Sequence, residues 1–279
     1  MAPYARERAS FHEKCLFSLV TVGYSSNALG GAGGPLAVLI IAIVAAELGK
    51  AVSKETRVDI LVTPLVTIFA GVGLSMLIAA PIGAAASQVG TLIMWATEQA
   101  PFLMGILVSV IVGVALTLPI SSAAICAALG LTGLAGGAAV AGCCAQMIGF
   151  AVMSYKENGV GGLISQGLGT SMLQMGNIVK NPRIWIAPTL ASAITGPLAT
   201  CVFHMEMNGA AVSSGMGTCG LVGQIGVYTG WIEAGKAVTA FDWVGLVLIC
   251  FVLPAVLSVV FCEVLRKWGW IKDGDMKLD

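Results

Sequence analysis

Residues 99–155 read QAPFLMGILVSVIVGVALTLPISSAAICAALGLTGLAGGAAVAGCCAQMIGFAVMSY, a run without a single charged side chain. A helix that crosses a bilayer needs about 20 apolar residues. The run is therefore long enough for more than one crossing. Pro119 divides it, because proline removes a backbone hydrogen-bond donor. We expect a broken helix at Pro119, with backbone groups that a polar substrate could use.

The rest of the chain has the same character. Of its 279 residues, 57% are hydrophobic and 10% are charged, whereas a soluble domain carries roughly 25% charged residues. The mean hydropathy is +0.93. So little charge would leave a soluble globule with a large exposed apolar surface. The composition indicates an integral membrane protein and excludes a disordered chain or an ordinary cytosolic enzyme, and the net charge of zero excludes a nucleic-acid partner.

Charge-free windows predict where the membrane segments lie. The apolar segments are 15–28, 35–49, 60–80, 102–118, 120–130, 133–155, 184–203 and 241–262. The stretch 82–97 has mixed polarity, and we expect it along the membrane interface. The predicted fold class is an all-α polytopic membrane protein with roughly 8–10 membrane segments, some of them broken helices.

Lysine and arginine residues predict the orientation in the membrane. They cluster at 6–14, 50–57, 180–183 and 266–277, whereas 81–101 contains none. Cytoplasmic loops carry the excess of positive charge. We therefore expect the N-terminus, the 50–59 loop and the C-terminus on the cytoplasmic side, and 81–101 on the outside.

Two glycine-rich stretches, 159–178 and 207–230, contain Ser, Thr and Gln but little Leu, Ile or Val. Apolar segments interrupted by glycine are typical of transporter binding sites. Both stretches contain the pattern G-x-G-T-small-x-L, at Gly167–Leu173 and at Gly215–Leu221. We interpret them as two re-entrant hairpins, with coincidence in a glycine-rich chain as the alternative. Gly215–Gly220 also fits a dinucleotide pattern, which carries no weight without a preceding strand.

Ionisable residues at membrane depth are scarce, so His204 and Glu206 stand out. With Asn208 they lie between an apolar segment and the second glycine-rich stretch. A charge at the bilayer centre costs at least about 2.5 kcal/mol and marks a substrate or ion path. Carboxylates accept hydrogen bonds and amides both donate and accept them, so these residues are suited to binding a polyol. The alternative is a solvated carboxylate in a loop.

Five amide side chains lie in otherwise apolar sequence: Gln146, Gln166, Gln174, Asn177 and Gln224. A buried amide must be paired, and it often joins helices. An interhelical hydrogen bond is therefore the alternative for any single amide. Their concentration in the two glycine-rich stretches favours a ligand-facing role for the group.

The sequence contains no catalytic triad, metal-ligand cluster or phosphate-binding loop. We accordingly expect no metal, no cofactor and no catalytic residue on this chain. The adjacent Cys143 and Cys144 are interpreted as small apolar residues between helices, with a soft-metal or redox pair as the alternative.

Five motifs together resemble a known family. They are Pro119-Ile-Ser-Ser-Ala-Ala-Ile125, Gly142-Cys-Cys-Ala-Gln146, Asn181-Pro-Arg-Ile-Trp-Ile-Ala-Pro188, Ala193-Ile-Thr-Gly-Pro-Leu-Ala199 and Gly215-Met-Gly-Thr-Cys-Gly-Leu-Val-Gly-Gln224. As a set they resemble the enzyme IIC-like (EIIC) membrane proteins of the phosphotransferase system, in the branch that includes the perfringolysin regulator.

The resemblance implies one EIIC-like domain over residues 1–279, with 1–34 an uncertain segment and 267–279 a short cytoplasmic tail. It implies a multi-pass permease of the bacterial inner membrane, surrounded by lipid, homodimeric, and moving a sugar or polyol by an elevator-type alternating-access cycle. A separate enzyme IIB would phosphorylate the sugar. Related permeases place a glutamate and often a histidine around the sugar, and Glu206 and His204 are the nearest candidates. The alternatives are a membrane-embedded ligand sensor without phosphotransfer and a facilitator for a small neutral solute.

Overall fold

The computed structural model describes residues 20–29, 34–52, 59–118 and 120–278. The structure is 84% helical, and the described residues contain no strand, only a single antiparallel bridge between Gly133 and Met207. This confirms the all-α fold class. By their contacts the described residues fall into two compact units, divided after Gly90.

The first unit consists of apolar helices. Helix α1 covers residues 20–29, and α2 covers Gly34–Val52. Helix α3, Asp59–Leu74, continues through a π-helical turn into α4, Ala80–Gln99. One hydrophobic cluster of buried side chains in this unit consists of Val22, Ala37, Ile41, Ala45 and Ala79. The Ser26 and Ser75 hydroxyls join α1 to the π turn by a buried hydrogen bond of 2.7 Å.

Two π turns lie next to prolines. Ser75–Ala79 precedes Pro81 by two residues, and Leu248–Val252 precedes Pro254 by two. A proline ring collides with the carbonyl four residues earlier and leaves it without a donor, and a π turn widens the helix at that point. The helix therefore continues past Pro81. For this reason the predicted segment 60–80 and the predicted interfacial stretch 82–97 belong to one helical run.

The second unit holds the remaining helices. They are α5 (Pro101–Thr117), α6 (Ser122–Leu129), α7 (Gly133–Met153), α8 (Tyr155–Ile164), α9 (Met175–Lys180), α10 (Ile186–Pro197), α11 (Val222–Glu233), α12 (Ala240–Val247) and α13 (Leu253–Lys267). A 3-10 turn, Pro182–Trp185, leads into α10, and a π turn, Leu248–Val252, joins α12 to α13.

The predicted break in the long charge-free run is present. Helix α5 ends at Thr117 and α6 begins at Ser122; Pro119 itself lies outside the described residues. The Ser121 hydroxyl accepts a hydrogen bond from the Ala124 amide at 3.1 Å and so caps the new helix.

Helix α7 is the centre of the second unit, since nearly all of its residues are buried. Small residues allow neighbouring helices to pack closely against α7. A Cβ on Gly142 would lie 1.9 Å from the Ser109 carbonyl oxygen of α5, and one on Gly149 would lie 2.9 Å from the Pro188 side chain of α10. Cys143 and Cys144 are fully buried in this helix, in the environment expected of small apolar residues.

Four helical runs among the described residues are long and apolar enough to cross a membrane: Val62–Gln99, Gly133–Met153, Pro182–Val202 and Ala240–Lys267. Helix α5 is apolar but shorter. The exposed side chains include Phe69, Leu77, Phe102 and Ile111, each more than 60% accessible, which is the surface expected of helices that face lipid. The larger number of roughly 8–10 membrane segments stays a prediction.

Candidate functional site

The predicted residues His204, Glu206 and Asn208 lie on one short non-helical piece of chain, 203–209. Along 205–208 the side chains alternate, as they do in a strand. Met205 and Met207 are buried, while His204, Glu206 and Asn208 are exposed. The Met207 amide and carbonyl exchange hydrogen bonds with the Gly133 carbonyl and amide at 3.0 and 2.9 Å. Glu206 and Asn208 therefore share one edge, and the exposed His204 lies directly before it.

Glycines on two helices make room for this non-helical piece. A Cβ on Gly137 of α7 would lie 1.6 Å from the Met205 carbonyl oxygen, and a Cβ on Gly230 of α11 would lie 2.8 Å from the Asn208 amide nitrogen. Any larger residue at either position would displace backbone. Gly137 and Gly230 thus allow close packing of their helices against this non-helical piece of chain.

Glu206 and Asn208 form a pair. The Asn208 Nδ2 donates to Glu206 Oε2 at 2.9 Å, and its Oδ1 accepts from the Gly133 amide at 3.1 Å. The second interaction fixes the orientation of the amide, since Oδ1 must face the α7 N-terminus. One oxygen of an exposed carboxylate is thereby held in place, and the other remains open to a hydroxyl donor.

His204 lies beside an aromatic cleft. The cleft is lined by Phe203, His204, Trp231 and Asp242, among others, and encloses about 10 Å³, room for about one water molecule. His204 has a positive φ of 43°, uncommon outside glycine. An aromatic wall with a few polar groups is the usual lining of a small-molecule site, and a sugar would require this cleft to open.

The amides of the first glycine-rich stretch bind the chain itself. Gln174 Nε2 donates to Gln166 Oε1 at 2.9 Å, and Gln174 Oε1 accepts from Asn177 Nδ2 at 2.8 Å. Gln166 Nε2 donates in turn to the Ser154 hydroxyl at 2.8 Å. Gln166 and Gln174 are fully buried. Gln174 and Asn177 also donate to main-chain carbonyls of Met276 and Lys277.

Gln146 joins three helices. Its Oε1 accepts from the Trp185 indole at 3.1 Å and from the Thr117 hydroxyl at 3.4 Å, and its Nε2 donates to the Thr189 hydroxyl at 3.2 Å. This is the interhelical role that the sequence left as the alternative to ligand contact.

Gln224 is the one predicted amide with an unpaired atom. Its Nε2 donates to the Cys144 sulfur at 3.2 Å, whereas its buried Oε1 has no hydrogen-bond partner among the described residues. A buried acceptor without a donor costs about 1–3 kcal/mol. Gln224 is therefore the amide that would gain most from a hydroxyl donor.

The two G-x-G-T motifs meet in the structure. The Thr218 hydroxyl donates to the Gly167 carbonyl at 2.6 Å. Gly217, with φ of 53°, packs so closely on α7 that a Cβ would lie 2.7 Å from the Cys143 side chain. The equivalent Thr170 instead caps a local turn by accepting from the Met172 amide at 3.2 Å. The repeat is thus one of sequence pattern, with different roles for the two threonines.

Three further polar residues, which the sequence did not single out as site residues, bind the segment that follows α13. Glu157 accepts from the Met276 amide, Asn158 donates to the Met276 carbonyl, and Asn181 donates to the Asp275 carboxylate, each at 2.8 Å. Their partners lie more than 90 residues away. The only sequence signal is that these polar residues flank the first glycine-rich stretch. The described residues contain no His, Cys, Asp or Glu group suited to a metal ion.

Comparison with known proteins gives one match. Residues 17–278 match the family model described as "Phosphotransferase system, EIIC". No curated protein and no solved structure matches the chain.

Proposed function

We propose, because the chain belongs to the phosphotransferase-system EIIC family, that it moves a sugar or polyol across the membrane through the second glycine-rich stretch. Membership supports a permease-type role in general. The proposal adds the substrate class, the site and an elevator-type cycle of alternating access. It also adds a bacterial inner-membrane location, a homodimer, and a separate enzyme IIB that phosphorylates the substrate.

The observation that carries the proposal is the edge formed by Glu206 and Asn208, with His204 directly before it. It combines an oriented carboxylate with an amide at the end of the helical run Pro182–Val202. Non-helical backbone near membrane depth is tolerated where protein or a water-filled cavity surrounds it. In transporters, such interrupted segments coordinate the substrate.

Each residue has a role in the proposal. Glu206 accepts hydrogen bonds from substrate hydroxyls, Asn208 orients Glu206, and His204 contacts the substrate beside Phe203 and Trp231. Gln224 supplies its unpaired Oε1 once the cleft opens. Four other amides hydrogen-bond to groups of the chain itself and support the fold in this conformation: Gln146, Gln166, Gln174 and Asn177.

The contact between the two glycine-rich stretches supports the proposal that they move together as one element. The Thr218 hydroxyl donates to the Gly167 carbonyl across them, so a displacement of one stretch would change its contact with the other. The backbone of the second stretch is packed through glycines, with Gly217 directly against α7. These features support paired re-entrant hairpins within the moving part.

The test is substrate counterflow, which needs no enzyme IIB. The purified protein is placed in liposomes loaded with an unlabelled sugar or polyol, and entry of the same labelled compound is measured across a panel. We expect one chemical class to enter faster than into protein-free liposomes, and Glu206→Gln to lower that rate about tenfold or more. Lys180→Gln, an exposed change, serves as the control.

Folded protein without counterflow for any compound would overturn the proposal. Binding of a sugar without counterflow would favour the ligand sensor that keeps the permease fold.

A further inference from the structure

Residues 270–278, which we call the strap, follow α13 and lie against the first glycine-rich stretch. Asn158 and Gln174 both donate to the Met276 carbonyl, at 2.8 and 2.9 Å, and Asn177 donates to the Lys277 carbonyl at 2.9 Å. The side chains of the stretch and its flank thus bind the main chain of the strap.

The remaining polar contacts follow the same pattern. Glu157 accepts from the Met276 amide and Asn158 Oδ1 from the Leu278 amide, each at 2.8 Å. Asn181 Nδ2 donates to the Trp270 carbonyl at 3.0 Å. Main-chain groups of the strap are therefore satisfied by side chains around the first stretch, as a bound peptide would be.

Only two side chains of the strap are buried. Ile271 and Met276 are 2% and 0% exposed and pack in a cluster with Phe150, Ile178 and Cys262. Between them, Lys272 and Asp273 are exposed and Asp275 is half-buried beside Asn181. Release of the strap would therefore withdraw two apolar side chains from that cluster, and segments with few buried apolar groups open at low free-energy cost.

The first stretch, in contrast, has few buried apolar side chains of its own. Helix α8 buries only Gly162 and contains a break at Gly159, where φ is 59°. Leu168, Met172 and Leu173 are each more than 40% exposed. The strap therefore contributes several of the contacts that hold the stretch in place, beside those from Ser154, Thr117 and Thr218.

Glycines provide turns at which the strap can swing. Gly269 has φ of 71° and Gly274 has φ of 97°, and a Cβ on either would meet no atom within 4 Å. Glycine at these two positions is therefore not required by lack of space. It is required by the positive φ angles, which glycine adopts without steric cost. One glycine lies directly before the strap and another lies within it. These glycines allow the strap to detach from the first stretch without straining α13.

We propose that the strap is a releasable clasp. Docked, it holds the first glycine-rich stretch in the conformation described; released, it frees 157–180 to move while α7 and the rest of the core stay folded. Because Thr218 bonds Gly167, release also loosens the contact between the two glycine-rich stretches. The inference rests on these contacts and holds whether or not the substrate is a sugar.

Hydrogen exchange measured by mass spectrometry on the full chain in detergent tests the clasp without any ligand. The variant is Met276→Ser, which removes a buried anchor, and the matched control is Lys277→Ser, whose side chain is exposed. We expect Met276→Ser to speed exchange about tenfold or more in 157–180 and 270–278, with 133–153 unchanged. The control should exchange like the wild type.

Two outcomes would overturn the proposal. If 270–278 exchanges faster but 157–180 does not, the strap does not hold the stretch. If 133–153 loses protection together with the strap, the strap is part of the global core and does not release separately.

A second variant changes the first glycine-rich stretch in place of the strap. Asn177→Asp keeps the shape of the side chain but replaces the donor to the Lys277 carbonyl with an acceptor. It should give the same exchange pattern at smaller amplitude.

Maleimide labelling is an independent measurement of release. In both variants a bulky maleimide should label Cys262, which is 3% exposed beneath the strap, faster than in the wild type. Peptide mass spectrometry identifies the labelled site. Unchanged labelling in both would contradict release.

Discussion

The two glycine-rich stretches carry the same sequence pattern, yet their polar side chains differ in what they do. In the first, Gln166 and Gln174 are fully buried and bonded to each other and to their surroundings. At the start of the second, Glu206 and Asn208 form an exposed pair, and within it Gln224 keeps an unpaired oxygen. Satisfied amides stabilise a fold, whereas oriented but open groups are free for a ligand. The four experiments below test this contrast, in order of their expected effect on stability.

Gly137→Ala should have the largest effect. The added Cβ would lie 1.6 Å from the Met205 carbonyl oxygen, so backbone must shift, which we expect to cost about 3 kcal/mol or more. Thermal unfolding of the solubilised protein measures the loss. Gly176→Ala is the control, because its Cβ meets nothing within 4 Å. A tolerated Gly137→Ala would mean that the second stretch is not held against α7.

Gln174→Met should come next. It removes hydrogen bonds to Gln166, Asn177 and the Met276 carbonyl, and the buried partners left behind should cost about 2–3 kcal/mol. Leu173→Met, at an exposed neighbour, should be nearly neutral in the same unfolding measurement. Equal stability of the two variants would mean that the amide network does not support the fold.

Thr218→Val and Thr170→Val compare the two repeats directly. Thr218 donates to the buried Gly167 carbonyl at 2.6 Å, so its loss should cost about 1–2 kcal/mol. Thr170 only caps a turn at 3.2 Å, and its loss should cost about 0.5–1 kcal/mol. Chemical denaturation of both variants measures the two losses of unfolding free energy. A larger loss in Thr170→Val than in Thr218→Val would contradict the different roles of the two threonines.

Glu206→Gln should have the smallest effect on stability, within about 0.5 kcal/mol, because the side chain is exposed. An amide oxygen can still accept from Asn208 Nδ2. Substrate counterflow should nevertheless fall, since the carboxylate is lost. A large loss of stability here would identify Glu206 as a structural residue.

Most helix positions could be predicted from the sequence, because absent charge and helix-breaking residues are local signals. The predicted 133–155 is Gly133–Met153, 102–118 is Pro101–Thr117, and 184–203 corresponds to Pro182–Val202. The boundary placed near Pro81 was wrong, because a π turn accommodates that proline inside one run, Val62–Gln99.

The candidate site could be predicted only in part. The cluster of His204, Glu206 and Asn208 was visible because its members are near neighbours in sequence. The partners of Gln174 and Asn177 lie about 100 residues away in the strap, and no local pattern reports such a contact. A buried amide looks the same in sequence whether it binds a ligand or its own chain.

The most direct test of this contrast is a thermal-shift screen of the purified protein with sugars, polyols and sugar acids, run in parallel on the wild type, Glu206→Gln and Gln174→Met. A ligand at a hundredfold excess over its Kd stabilises the folded state by about 2.7 kcal/mol. We expect the shift given by the best compound to disappear in Glu206→Gln and to persist in Gln174→Met. A shift that persists in Glu206→Gln and disappears in Gln174→Met would place the ligand on the first stretch and contradict the account.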